Sequence, residues 1–286
     1  MKKILVIGGA GFIGSHLCEA LSLDNEVYSL DNYFTGSLDN HIDNVTYIEG
    51  SSDEINDKIK FIPDIIFHLG EYSRVEQSFE DIELVVKSNI EGTLAVIEFV
   101  RKNKCKIVYA GSSTKFGDNG LTKDNSPYAW TKASNTELIK NYGKWFNINY
   151  AIVYFYNAYG PREISKGKYA TLIALFIAKM RDNLKLSVVK PGIQLRNFTH
   201  VSDIVSGLLL VAKYGNGDNY CIGNPKTYTI LEVAEFFGGE IEMLPERKGN
   251  RLTADLDIKK LSDLGWKPKV DLIDYLEKLR NNKWKS

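Results

Sequence analysis

The most restrictive feature of the sequence is a glycine-rich turn, Gly8-Gly9-Ala10-Gly11-Phe12-Ile13-Gly14, set directly after the apolar run Ile4-Leu5-Val6-Ile7. Ile13, Leu17 and Leu21 then repeat at helical spacing. A buried strand, a tight glycine turn and a helix in that order form a ready-made phosphate site. The glycines serve a sharp turn, close approach of backbone to a pyrophosphate, and close packing of helix on strand. The helix start then offers free N–H groups and the positive end of its dipole.

The rest of the chain must complete a fold around that opening. Apolar runs at Val27–Leu30, Val45–Ile48, Ile65–Phe67, Ile107–Tyr109 and Ala151–Phe155 lack the alternation of half-exposed strands. Between them lie helical patterns, the longest over Ile82–Lys102 and Tyr128–Trp145. Buried strands separated by helices predict an α/β fold, a Rossmann-like doubly wound parallel sheet. Beyond Pro161 the pattern predicts a helix over Thr171–Arg181, a strand at Leu186–Val189, a helix from Val201 and a strand at Tyr220–Ile222. A mixed remainder ends in an amphipathic helix, Leu272–Lys283. The expected division is a dinucleotide-binding domain of residues 1–163 plus 198–222, and a smaller mixed C-terminal substrate lobe of 164–197 plus 223–286.

Composition narrows the class. Lys plus Arg and Asp plus Glu both number 36, so the formal net charge is zero and the basic bias of a nucleic-acid binder is absent. Cys18, Cys105 and Cys221 are too far apart for a disulfide framework, and no CxxC or HExxH pattern supports a metal site. No segment approaches the ~20 apolar residues of a membrane span. A cytoplasmic enzyme is expected.

Asp31 closes the second predicted strand, 17 residues after Gly14. A carboxylate there accepts the two hydroxyls of an adenine ribose and repels a 2′-phosphate. Residues 32–36 contain no Arg or Lys, so NAD is expected in preference to NADP. Tyr128 and Lys132 are one turn apart on one face of a predicted helix that Pro127 can begin. A phenol titrates near 10, so service as a base near neutrality requires a cationic neighbour to favour its phenolate. A hydroxyl from Ala110-Gly111-Ser112-Ser113-Thr114 would stand at the carboxyl edge of the sheet, where such folds bind ligands.

Taken together these residues resemble the extended short-chain dehydrogenase/reductase superfamily, in its NAD-dependent nucleotide-sugar epimerase/dehydratase branch. The glycine turn is similar to GGxGFIG, Asn89–Thr93 to NxxGT, Tyr128–Lys132 to YxxxK, and Asn157–Arg162 to NVYGPR. Arg196–Val201 resembles RDFIHV, Arg247–Asn250 RPGD, and Gly265–Pro268 GWxP. The resemblance implies that Gly8, Gly11, Phe12, Ile13 and Gly14 hold the pyrophosphate and that Asp31 and Asn32 hold the adenosine. It puts Leu69, Gly70 and Asn89 along the dinucleotide and Phe155 beside the nicotinamide. Lys132 would bond the nicotinamide ribose and tune Tyr128, with Ser112 as the assisting hydroxyl. Asn157 would face the sugar nucleotide, Arg196 and Arg247 its diphosphate, and Arg74 would reach the substrate.

The departures shape the expected activity. Ser113-Thr114 replaces the Asp-Glu pair of 4,6-dehydratases, Gly70-Glu71 replaces two small residues, and the stretch between Ser112 and Tyr128 is short. The expected function is a 4-epimerase acting by transient oxidation at C4 of a nucleotide-diphosphate hexose. A C4 dehydrogenase or 4-ketoreductase is the alternative, and a non-catalytic NAD-sensing module a remote one. The two long helices resemble those that pair in family homodimers, so a dimer, or a tetramer built from it, is expected.

Overall fold

The structure, a computed structural model, describes residues 1–246 and 255–284, apart from the side chains of 118 and 119. Its centre is a seven-stranded parallel sheet. Six strands are β1 (Lys3–Ile7), β2 (Glu26–Asp31), β3 (Val45–Glu49), β4 (Ile65–His68), β5 (Lys106–Ser112) and β6 (Tyr150–Phe155). Across the sheet the order is Gly217–Ile222, β6, β5, β4, β1, β2, β3. The chain runs outward from β1 to β3, then returns to the far side of β1. That reversal opens a crevice at the carboxyl ends of β1 and β4, the usual ligand position in such sheets.

Alternation along β1 explains why both faces are covered. Ile4 and Val6 join Leu17, Cys18, Leu21, Leu208 and Val211 on one face. Leu5 and Ile7 join Val96, Ile97, Val100, Ile139 and Tyr154 on the other. Each such aliphatic side chain contributes about 1.5–3 kcal/mol by leaving water. A strand buried on both faces has no polar side to display, which is why these strands read as continuous apolar runs.

A third cluster lies outside the sheet, with Phe176, Leu186, Val188, Phe237, Leu276 and Trp284 at its heart. Strand Leu186–Val189 pairs in parallel with Ile241–Leu244, and helices Leu172–Arg181, Ile230–Phe237 and Leu272–Asn281 close over them. Thr229 and Glu232 form a capping box that starts the second of these helices. Buried Asp203 fastens this unit to the sheet: its Oδ2 accepts from the backbone of Lys269 and Val270, both at 3.0 Å. The Trp266 indole donates to the Asp203 carbonyl, also at 3.0 Å.

Two elements differ from expectation. The helix expected over Ile82–Lys102 is three pieces: Ile82–Val85, a π-helical segment Val86–Glu91, and Gly92–Asn103. The wider π turn brings Asn89 fully inside, where its amide pairs with both the N–H (2.8 Å) and C=O (3.2 Å) of Tyr72. Beyond Gly223, where the sequence pattern was only mixed, the chain forms the ordered helices and strands of the third cluster.

Candidate active site

The crevice widens into a cavity of about 840 Å³ between the sheet edge and the C-terminal unit. At one end lies the glycine turn. Gly11 caps the Phe12–Leu21 helix with no side-chain hydrogen bond, so the first amides are free to face a ligand. A Cβ on Gly14 would sit 1.9 Å from the Gly8 carbonyl oxygen, and one on Gly8 2.7 Å from Gly70 Cα. Glycine is required at both positions because backbone meets backbone.

Asp31 is buried at the end of β2, and its oxygens accept from Ala10 N–H (2.9 Å) and Tyr33 N–H (2.8 Å). Burial raises its titration, while those two amides and His41 pull it back. Each oxygen keeps a lone pair for a further donor. Asn32 is exposed and lines the same end, its amide donating to Ser51 Oγ at 3.2 Å. The glycine cradle, open amides and acidic strand end fit NAD: the turn would hold the pyrophosphate and Asp31 the ribose.

Toward β5 the same cavity is lined by Ser112, Tyr128 and Lys132, and by Gly70, Phe155 and Asn157. Ser126 starts the Pro127–Phe146 helix by accepting from Ala129 N–H at 3.1 Å, and Pro127 occupies its first turn. Ser112 Oγ accepts from the Thr114 hydroxyl (2.9 Å) and amide (3.3 Å), which leaves its own proton to donate. Lys132 is buried, bonded to the Ala110 carbonyl (2.5 Å) and to the Glu71 carboxylate. That carboxylate was not among the expected site residues. The departure at Gly70-Glu71 pointed to the position but not to the partner. Asn135, three residues beyond Lys132, and Thr93 and Tyr109 also donate to Glu71.

The remaining expected site residues divide. Leu69, Arg74 and Arg196 line the cavity with the glycine turn, Phe12 and Ile13. Asn89 is behind its wall, donating to Thr131 Oγ1 at 3.0 Å and holding the Tyr72 backbone. Arg247 lies outside the described residues. Arg74 donates to the Tyr169 carbonyl from Nε (3.1 Å) and Nη2 (2.7 Å). Burial lowers its titration, and the charges of Tyr128, Tyr72, Tyr169 and Glu163 oppose that.

Glu163 also lines the cavity and had no assignment from sequence. It accepts from Thr171 Oγ1 (2.6 Å) and Gly160 N–H (2.8 Å). Burial pushes it up to about 7 against those bonds and Arg74. His68 is hydrogen-bonded through Nε2 to Thr93 Oγ1 at 3.0 Å, and burial pushes it down to about 4. Among the described residues no group of His, Cys, Asp and Glu could hold a metal ion, and no helix is long and apolar enough to cross a membrane.

Comparison with known proteins places the fold and its NAD-binding opening in a family. The model of the NAD dependent epimerase/dehydratase family matches residues 4–223. A Methanocaldococcus jannaschii protein provisionally named UDP-glucose 4-epimerase is 33% identical, the match covering 97% of each chain. UDP-glucuronic acid decarboxylase 6 of Arabidopsis thaliana is 31% identical over 94% of this chain and 85% of its own. Among solved structures, the UDP-glucose 4-epimerase of Thermus thermophilus in complex with NAD superposes with a TM-score of 0.85. It is 27% identical, and 95% of each chain is covered.

Proposed function

Because this chain belongs to the NAD dependent epimerase/dehydratase family, we propose that it is a 4-epimerase of a UDP-hexose, acting by transient oxidation at C4. The observation that carries this reading is that Ser112, Tyr128 and Lys132 line the same cavity as the glycine turn and Asp31. NAD, when bound, supplies the hydride acceptor and donor for C4. Tyr128 takes the proton of the 4-hydroxyl, and Ser112 donates to the same oxygen. Once the oxidised sugar has turned to present the other face of C4 to the hydride, Tyr128 returns the proton to the 4-oxygen. Lys132 directs its remaining N–H toward the nicotinamide ribose, and Arg74, Asn157, Arg196 and Arg247 serve the sugar nucleotide. The cofactor set is Gly8, Gly11, Phe12, Ile13, Gly14, Asp31, Asn32, Leu69, Gly70 and Phe155, with Asn89 steadying the wall behind it.

The chemistry next to Ser112 supports epimerisation over loss of water. Ser113 and Thr114 carry hydroxyls where a dehydratase needs a general acid and base, and a hydroxyl is a poor substitute for either. The named relatives supply the preference for a uridine nucleotide.

The test is a panel of UDP-sugars followed by NMR. Interconversion of 4-epimers is expected, whereas net release of a 4-keto sugar would assign the dehydrogenase or ketoreductase alternative. Tyr128→Phe should keep NAD bound and lower kcat by about 100-fold or more. Near-normal turnover would refute the base assignment. We also propose a homodimer: Phe79, Ile82 and Trp130 are exposed around a shallow groove with Val86 and Pro127 on the two long helical segments.

A further inference from the structure

Lys132 has three N–H donors. One goes to the Ala110 carbonyl and one to Glu71, leaving one for the cavity. The Glu71 side chain is only 1% exposed. Its Oε1 accepts from Thr93 (2.8 Å), Asn135 (2.9 Å) and Tyr109 (3.1 Å), while Oε2 accepts from Lys132. Four donors from three elements thus converge on one group, an arrangement that suits an acceptor-only carboxylate.

The other titratable groups against it do not carry charge near neutrality. Burial pushes His68 down to about 4, with Glu71 and Lys132 acting in opposite senses. Burial and the nearby Glu71 charge raise Tyr109 well above the usual phenol range. Lys132 and Glu71 are therefore the charged pair of this wall, and a bonded pair projects little net field.

We propose that Glu71 is a positioning residue that fixes Lys132 and cancels its charge, so that Lys132 serves mainly to hold the cofactor. The charge favouring the Tyr128 phenolate then comes from Arg74 and from the oxidised nicotinamide ring. This rests on the assignment of Tyr128 and Lys132 above. Arg74 is suited to the task because it lines the same cavity, is held there by the Tyr169 carbonyl, and carries a positive charge on which the Tyr128 charge acts favourably. Without Glu71 the uncancelled ammonium would disfavour the positive, oxidised nicotinamide relative to its neutral reduced form.

Two variants test it: Glu71→Gln, which removes the charge, and Glu71→Ala, which also restores a small residue. Calorimetry on cofactor-free protein gives the ratio of Kd for NAD+ to Kd for NADH. Loss of one buried charge should raise that ratio about tenfold in both variants. The acid limb of the kcat–pH profile should move about one unit lower, because the unbalanced ammonium now favours the phenolate. Folded variants in which either quantity stays at the wild-type value overturn the proposal. Failure of both variants to fold makes Glu71 a structural brace and overturns it too. Tyr128→Phe, run in parallel, separates this from the function itself. Should that variant keep turning over, the base assignment falls, while the NAD+/NADH ratio still reports on Glu71.

Discussion

The two ends of the cavity are built from different materials. At the phosphate end the shape is set by backbone, with Gly14 packed on Gly8 inside one seven-residue turn and Gly8 packed on Gly70. At the chemical end it is set by side chains from separate segments: Glu71 after β4, Thr93 and Asn135 on two helices, Tyr109 on β5 and Lys132. Backbone packed on backbone has nowhere to move, so the first end tolerates almost no added atom. A hydrogen-bonded cluster tolerates small changes of shape but responds strongly to changes of charge.

That contrast can be broken at the phosphate end by one methyl group. Gly14→Ala puts a carbon 1.9 Å from a backbone oxygen, so the turn must open. Overpacking of this kind costs about 1–3 kcal/mol or more, and NAD affinity should fall by roughly 100-fold or beyond. Calorimetry and the melting temperature both read it, and wild-type affinity would show that the turn yields. A smaller effect is expected at Asp31, where geometry can be kept while charge is removed. Asp31→Asn should weaken NAD about tenfold through loss of charge-assisted bonds, with the melting temperature little changed.

The remaining effects lie at the chemical end and depend on pH. Glu163 is raised by burial to about 7, so the native state holds its proton after the unfolded chain has released it. Stability from this group is full below the ordinary carboxylate range and is lost as pH rises through about 7. His68 is lowered by burial to about 4, so the unfolded chain binds the extra proton. Its contribution is present above about 6.5 and is lost as pH falls toward 4. Between pH 5 and 8, Glu163→Gln should therefore gain on the wild type by about 2 kcal/mol, read by denaturant titration at both pH values. His68→Gln should flatten the acid side instead. Parallel curves for Glu163→Gln and the wild type would show that Glu163 is solvated in the folded chain.

Much of this was visible before the fold was. The run Ile4–Ile7, its glycine turn and the Phe12–Leu21 helix are local in sequence, and local sterics fix them. The Tyr128–Lys132 spacing fixed one helix face in the same way. The π segment at Val86–Glu91 was not visible, because apolar periodicity around it continues as if the helix were regular. The third core was visible only in part: its strand Leu186–Val189 and its first and last helices were expected, but not the partner strand Ile241–Leu244, about fifty residues away.

What the sequence determined by itself was the glycine turn and the helix face that carries Tyr128 and Lys132, because both follow from steric rules within a few neighbouring residues. What only the tertiary structure decided was the state of the lysine on that face. Glu71 and Lys132 are 61 residues apart and meet because β4 and β5 are neighbours in the sheet. Electrostatic coupling follows distance in space, and the order of residues along a chain does not contain it.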